Sequence, residues 1–173
     1  KYPDFLRKAE KRLAKAQRKL SQKQKESHNR EKQRLRVAIL HEKVANQRRD
    51  FLHKKARYLA DRYDVIGIED ISVKAMAKRK KGGKFSFGKS VADNGWNMFT
   101  NMLEYKLAWQ GKKLIKIDKW YPSSQLCHVC GYQNHETKDL SVREWDCPKC
   151  GSHHNRDKNA AINIREEARR ISA

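Results

Sequence analysis

Four cysteines carry the clearest chemistry in the chain. Cys127-His128-Val129-Cys130 and Cys147-Pro148-Lys149-Cys150 form two Cys-x2-Cys pairs with sixteen residues between them, and they are all the cysteines present. Tetrahedral zinc takes four soft thiolates at roughly 2.3 Å, and two tight knuckles supply two each. Gly131 and Gly151 each follow the second cysteine of a pair, where a sharp turn makes a Cβ costly. The pattern predicts a zinc ribbon with four cysteine ligands. A closed thiolate shell leaves no position for water, so this zinc is expected to be structural and to replace a core that so short a segment cannot form. The competing reading, two disulfides, needs an oxidising compartment, whereas a lysine-rich chain without a signal sequence points to a reducing one. His128, His135, His153 and His154 lie nearby. Four sulfurs already fill the shell, so surface positions are expected for all four.

Two acids sit where hydrolysis could use them. Glu69 ends the run Val65-Ile66-Gly67-Ile68, and Asp157 opens a helix in Asn155-Arg156-Asp157-Lys158-Asn159. The carboxyl ends of parallel strands are where α/β sites gather. Phosphodiester hydrolysis with two magnesium ions needs several carboxylates converging on metals about 3.5–4 Å apart. From spacing alone, Glu69 is equally a solvated strand-end acid, and Asp157 an ordinary first-turn acid favoured by the helix dipole. Asp70 is adjacent, but strand alternation sends it to the face opposite Glu69.

The elements that must hold these residues follow from periodicity. Leu6, Ala9, Leu13, Ala16 and Leu20 recur at helical steps and predict a helix over 4–25, followed by a turn at Ser27-His28-Asn29. A longer helix, about 31–62, carries Val37, Leu40, Val44 and Phe51, with Tyr58 or Leu59 closing the stripe. Matched stripes and a short connection predict an antiparallel helical hairpin. Val65–Glu69 reads as a buried strand and Lys113–Asp118 as a second strand. Between them, residues 91–110 read as a helix with Trp96, Phe99, Met102 or Leu103, and Lys106 or Leu107 in register, stopped by Gly111. Strand, helix, strand at this spacing is a βαβ unit with a parallel sheet. A last helix, about 156–171, places Ala160 or Ala161, Ile164, Ala168 and Ile171 on one face.

Charge is the strongest compositional feature. The 173 residues hold 41 Lys+Arg against 20 Asp+Glu, a net +21. Residues 1–63 hold 21 basic and 7 acidic side chains, whereas residues 127–173 hold 8 and 7. So one-sided a hairpin is either a solvated cationic surface or an electrostatic bed for phosphates. A second focus, Lys78, Arg79, Lys80, Lys81 and Lys84, lies in a glycine-containing stretch that reads as a mobile, phosphate-following loop. No apolar run is long enough to span a membrane. The first residue is Lys1 rather than Met, from which a piece of a longer polypeptide is expected.

Val65-Ile66-Gly67-Ile68-Glu69-Asp70, Tyr121-Pro122-Ser123-Ser124-Gln125-Leu126-Cys127-His128-Val129-Cys130-Gly131, Cys147-Pro148-Lys149-Cys150-Gly151 and Asn155-Arg156-Asp157-Lys158-Asn159-Ala160-Ala161-Ile162-Asn163-Ile164 occur in that order. With them the chain closely resembles the C-terminal half of the TnpB (OrfB) family of bacterial insertion sequences, which is similar to type V CRISPR effector nucleases. The resemblance implies an α/β architecture: a partial RNase H-like (RuvC) fold with a long basic helical hairpin and an inserted four-cysteine zinc ribbon. The expected divisions are the hairpin over 1–63, a strand-helix-strand core over 64–120, the ribbon over 121–155 and a terminal helix over 156–173. It further implies RNA-guided DNA endonuclease activity with magnesium, guide RNA and target DNA as partners, and a prokaryotic, cytoplasmic, nucleoid-associated setting. Of three RuvC acids, Glu69 matches the second and Asp157 the third. The first, an Asp on the opening strand, is expected in the polypeptide N-terminal to Lys1. The alternative is a catalytically incomplete nucleic-acid-binding zinc-ribbon module.

Overall fold

A computed structural model of the chain describes residues 3–71 and 95–172. Helices α1 (Asp4–Ser21) and α2 (His28–Arg62) form the predicted hairpin, with Ala9, Leu13 and Ala16 packed on Val37 and Val44. The turn lies earlier than the sequence suggests. The Ser27 hydroxyl accepts the Arg30 amide at 3.2 Å, and the Arg30 guanidinium donates to the carbonyls of Leu20 (2.9 Å) and Lys23 (3.2 Å). These bonds cap α2 and satisfy the trailing carbonyls of α1. Helix α1 therefore stops at Ser21 instead of near 25, and His28 and Asn29 belong to α2.

At 35 residues, α2 outruns α1 and serves two cores. Its second half buries Leu52, Ala56 and Ala60 against Met102, Leu103 and Leu107 of α3 (Trp96–Ala108). Of the two residues expected to close the stripe, Leu59 packs against this core and Tyr58 is 51% exposed. The two alanines at a four-residue step let α3 approach closely, which turns position 58 outward while Phe51 and Leu59 flank the core.

Strands β1 (Val65–Glu69) and β2 (Lys113–Ile117) pair in parallel, from Val65 opposite Lys113 to Glu69 opposite Ile117, with α3 in the connection. The predicted βαβ unit is thus present. Gly111 stops the segment in the left-handed region (φ 67°), its amide donating to Ala108 at 3.0 Å. The expected buried strand is only half-buried, with Val65 exposed, because among the described residues β1 pairs with β2 alone.

Helix α4 (Arg156–Ser172) covers the sheet face opposite the α2–α3 core. Ile66 packs on that core, while a Cβ on Gly67 would lie 2.6 Å from the Ala168 Cβ and 3.2 Å from the Ile164 carbonyl. Alternation therefore gives Gly67 and Glu69 the α4 face. Helix α4 itself buries Arg156, Asn159, Asn163 and Ala168, whereas Ile171, expected on its inner face, is 48% exposed. The α4 interface is polar in its first two turns, so a purely apolar stripe misplaces it.

Between β2 and α4 lies a small unit with antiparallel β3 (Glu144–Asp146) and β4 (His153–Asn155), a 3-10 turn at His135–Lys138 and a bridge between Leu126 and Gln133. Its core is Cys127, Trp145 and Cys147, with Cys130 and Val142 against them. Lys78, Arg79, Lys80, Lys81 and Lys84 lie outside the described residues, as do Ser72 and Val73. Among the described residues, no helix is long and apolar enough to cross a membrane.

Candidate functional site

The four cysteines converge as their spacing demands. Their sulfurs all lie within 4.8 Å of one another, with Cys127–Cys150 at 3.7 Å and Cys130–Cys147 at 3.5 Å. Among the described residues this is the one such group of three or more His, Cys, Asp and Glu side chains. The two knuckles are near copies. Gly131 (φ 73°) and Gly151 (φ 71°) each donate an amide hydrogen bond to the carbonyl of the first cysteine of their pair at 2.8 Å. The Cys127 amide bonds Tyr132 at 2.8 Å and the Cys147 amide bonds Ser152 at 2.9 Å.

Their protonation asks for a cation. Hydrogen bonding to Ser152, through its side chain first and its backbone second, draws the Cys150 thiol down to about 6. Burial pushes Cys127 up. At Cys130 the Tyr132 backbone favours the thiolate, but burial and then the sulfurs of Cys150, Cys147 and Cys127 push the thiol up to about 12. Four crowded sulfurs cannot all ionise unless a divalent ion shares their charge, and four thiolates are the donor set of a closed structural metal site.

His154 departs from the expected surface role. It is 3% exposed, its Nε2 lies 3.1 Å from Cys127 Sγ, and its ring packs on Trp145 (centroids 4.7 Å) and His128 (4.8 Å). Burial, followed by the neighbouring His128 and His153, lowers its pKa, which favours a neutral ring. A neutral imidazole donating to the sulfur orients that ligand without joining the shell. The signal in the sequence is strand alternation: His154 falls between exposed His153 and half-buried Asn155, opposite Trp145.

Glu69 closes β1 at the carboxyl end of the sheet, and Asp157 lies in the first turn of α4. Glu69 Oε1 accepts the Ser123 hydroxyl at 2.5 Å, and the Ser123 carbonyl accepts Asn163 Nδ2 of α4 at 2.8 Å. Gly67 meets Ala168 and Ile164 of α4, whereas Glu69, two residues on, reaches α4 through Ser123, whose carbonyl takes Asn163. The carboxyl end of β1 and the amino end of α4 therefore share an edge. Asp157, in the first turn of α4, is exposed and faces Arg143 at 3.7 Å and Arg156 at 3.6 Å. Each acid has its own partners, and among the described residues no hydrogen bond joins them directly. Asp70 is exposed, its amide donating to Ile117 at 3.3 Å.

Sequence reasoning missed the seam between acids and cysteines. Asn159, 1% exposed, accepts the His128 amide on Oδ1 (3.1 Å) and donates from Nδ2 to the Leu126 carbonyl (2.6 Å). Asn163 donates to Leu126 as well, at 2.7 Å. Two asparagines at an i, i+4 step thus stitch α4 to the turn entering the first knuckle. That step, inside an otherwise apolar register, was the available signal.

Comparison with known proteins agrees with this layout. Residues 1–80 match the family model described as "Probable transposase", and residues 96–164 the one described as "Cas12f1-like, TNB domain". A Streptomyces pristinaespiralis protein named "Putative RNA-guided DNA endonuclease" is 43% identical over 162 residues, covering 94% of this chain and 39% of the relative. "Putative RNA-guided DNA endonuclease InsQ" of Escherichia coli (strain K12) is 36% identical over 167 residues, covering 91% and 41%. The chain thus spans about two fifths of the length of these curated relatives. The solved structure titled "Cryo-EM structure of the Cas12f1-sgRNA-target DNA complex" aligns with TM-score 0.58 at 22% identity, over 93% of this chain and 41% of that one, a likeness of fold. On the matched models and the named relatives, the chain belongs to the TnpB/OrfB family.

Proposed function

We propose that the chain is the nuclease-bearing part of an RNA-guided DNA endonuclease, a partial RuvC (RNase H-like) fold that hydrolyses target DNA with magnesium. The observation that carries this is the shared edge: Glu69 points to the α4 face at the carboxyl end of β1, and Asp157 opens α4 at that same end. Glu69 and Asp157 are hard oxygen donors suited to magnesium, which they would hold together with a carboxylate from the polypeptide before Lys1. Bound there, magnesium would lower the pKa of an attacking water and stabilise the departing oxygen. Ser123 holds Glu69 toward that edge, and Arg143 and Arg156 set the position of Asp157. Zinc in the four-cysteine site is structural. The cationic hairpin and the Lys78–Lys84 stretch follow the phosphates of guide RNA and target DNA in a prokaryotic, nucleoid-associated setting.

The test uses the full-length protein with guide RNA and magnesium. Glu69→Gln and Asp157→Asn keep size but remove metal-binding charge, so each abolishes cleavage while guide and target binding persist. Asp70→Asn, an exposed residue on the other face, cleaves at the parent rate. Parent-rate cleavage by Asp157→Asn would make that residue only a favourable first-turn acid.

A further inference from the structure

The loop 118–122 leaves the sheet beside Glu69 and returns to it. Its first anchor is Ile117, which pairs with Glu69 in β2 and accepts the Asp70 amide at 3.3 Å. Its second is Ser123, 5% exposed, which donates to Glu69. Within it, the Trp120 amide donates to Asp118 Oδ1 at 2.6 Å, the Tyr121 amide to the Asp118 carbonyl at 3.1 Å, and the Ser123 amide to the Tyr121 carbonyl at 2.8 Å. Such a loop has little freedom to collapse. It nevertheless holds an indole out in solvent: Trp120 is 80% exposed, with the Lys119 ammonium 5.0 Å from its ring centroid.

An indole held out on a braced loop presents a flat apolar face that an incoming ring can cover without reordering the backbone. Trp109 is nearly as exposed, but its ring is engaged by Tyr105 at 4.6 Å, and it lies at the far end of α3, next to the amino end of β2. Trp120 is at the carboxylate end. A flat π-surface beside an ammonium, in a chain of net +21, matches one chemistry in particular: an unpaired nucleobase with its phosphate.

We infer that Trp120 is a stacking platform for an unpaired base of the DNA strand entering the Glu69 edge, with Lys119 meeting the adjoining phosphate. This rests on the nuclease reading for its biological setting but not for its test. A base stacked on this loop is fixed in register relative to Glu69, because both ends of the loop are tied to that residue. The site would therefore favour single strands over duplex, whose bases are already stacked on one another.

The experiment titrates the zinc-loaded chain with an oligothymidylate and with a duplex of the same length, at several ionic strengths. Binding of the single strand quenches tryptophan fluorescence. Trp120→Ala weakens single-strand affinity by about tenfold. The slope of affinity with salt stays unchanged, because a stack releases no counterions, and duplex affinity is unaltered. Trp120→Phe keeps most of the affinity but loses the quench. Equal losses on single strand and duplex, or none on either, overturn the platform, as does a quench that survives Trp120→Phe. None of these readouts uses cleavage, so the platform can fail while Glu69→Gln still abolishes cutting in the full-length protein, and the reverse outcome is equally visible.

Discussion

The cysteine ribbon and the carboxylate end of the sheet adjoin in space yet are built in opposite ways. Each knuckle is assembled from its own residues, a cysteine carbonyl accepting the amide of a left-handed glycine four positions on, and a single metal would complete the site. Glu69, by contrast, is placed by β1, by its pairing with β2, by Ser123 and through Ser123 by Asn163 of α4. The first kind of site survives in almost any surroundings. The second is as accurate as the packing of all four segments. The seam of Asn159 and Asn163 shows that the difference is not independence: the turn entering the first knuckle also carries Ser123 toward Glu69. A disturbed ribbon should therefore be felt at the carboxylates, and a disturbed sheet should leave the ribbon's metal alone.

Cys147→Ser gives the largest effect. Metal binding supplies folding free energy in small thiolate sites, about 10–16 kcal/mol in zinc-finger peptides, comparable to the whole stability of a domain. Native mass spectrometry is expected to show one zinc in the parent and none in the variant, with hydrogen exchange opening across the ribbon and the first turns of α4. The α1–α2 core shares no residue with the ribbon and keeps its protection. Full metal content in the variant would refute the four-cysteine assignment.

Gly67→Ala disturbs the other side. The new methyl group meets the Ala168 Cβ at 2.6 Å, so α4 must move off β1. Overpacking of this kind costs about 1–3 kcal/mol, and contact with a backbone-borne methyl group puts it near about 3 kcal/mol. Zinc content is expected to be unchanged. Adding Ala168→Gly removes the obstructing carbon, and a favourable coupling between the two substitutions in denaturant unfolding identifies the contact. Simple additivity would show that α4 does not lie where Gly67 admits it.

Asn159→Ala tests the seam between the two. It leaves the His128 amide without its acceptor, whereas Leu126 keeps Asn163 as a donor. A part-buried amide that loses its acceptor can still reach water, so the cost is that of one net hydrogen bond, about 1 kcal/mol. Exchange should rise at both His128 and Ser123. A response confined to the ribbon would mean that the seam transmits nothing to the Glu69 edge.

How much of this was legible in the sequence follows the same division. The cysteine quartet was legible because its information is local: residue type, two-residue spacing and a following glycine. The βαβ unit was legible because β1 and β2 are short, β-branched and separated by a helical register. What escaped depends on which partner a face meets. Tyr58 and Leu52 are both apolar, and only the approach of α3 decides that Leu52 is buried. Ile171 sits in perfect helical register yet stays exposed, because the α4 interface is carried by Asn159, Asn163 and Ala168. His154 was hidden by its exposed neighbour His153. The acids were recognisable as a pair through family resemblance, but the ties of Glu69 to Ser123 are long-range and invisible to periodicity.

The smallest expected effect is at the opposite, amino end of the sheet, where an exposed carboxylate can be set against half-buried Glu69. Asp61 at the end of α2 accepts Arg57 Nε at 2.8 Å on one oxygen and Gln110 Nε2 at 2.8 Å on the other. The Arg57 bond first, and the Gln110 bond second, hold its pKa below 3.8. A carboxyl depressed on folding contributes stability that is fully present above its unfolded pKa and is lost as pH falls through the lower folded value. Stability from Asp61 is thus constant through neutral pH and fades only below 3.8. Surface pairs contribute little, so Asp61→Asn should barely move the neutral-pH melting curve. The sharper readout is the carboxyl carbon shift of Asp61 followed by NMR titration. Arg57→Ala should raise its midpoint toward 3.8 further than Gln110→Ala does. The reverse order would mean that the contact between α2 and the end of α3, rather than the pair within α2, fixes this carboxylate. The amino end would then be assembled from distant segments, as the Glu69 end is.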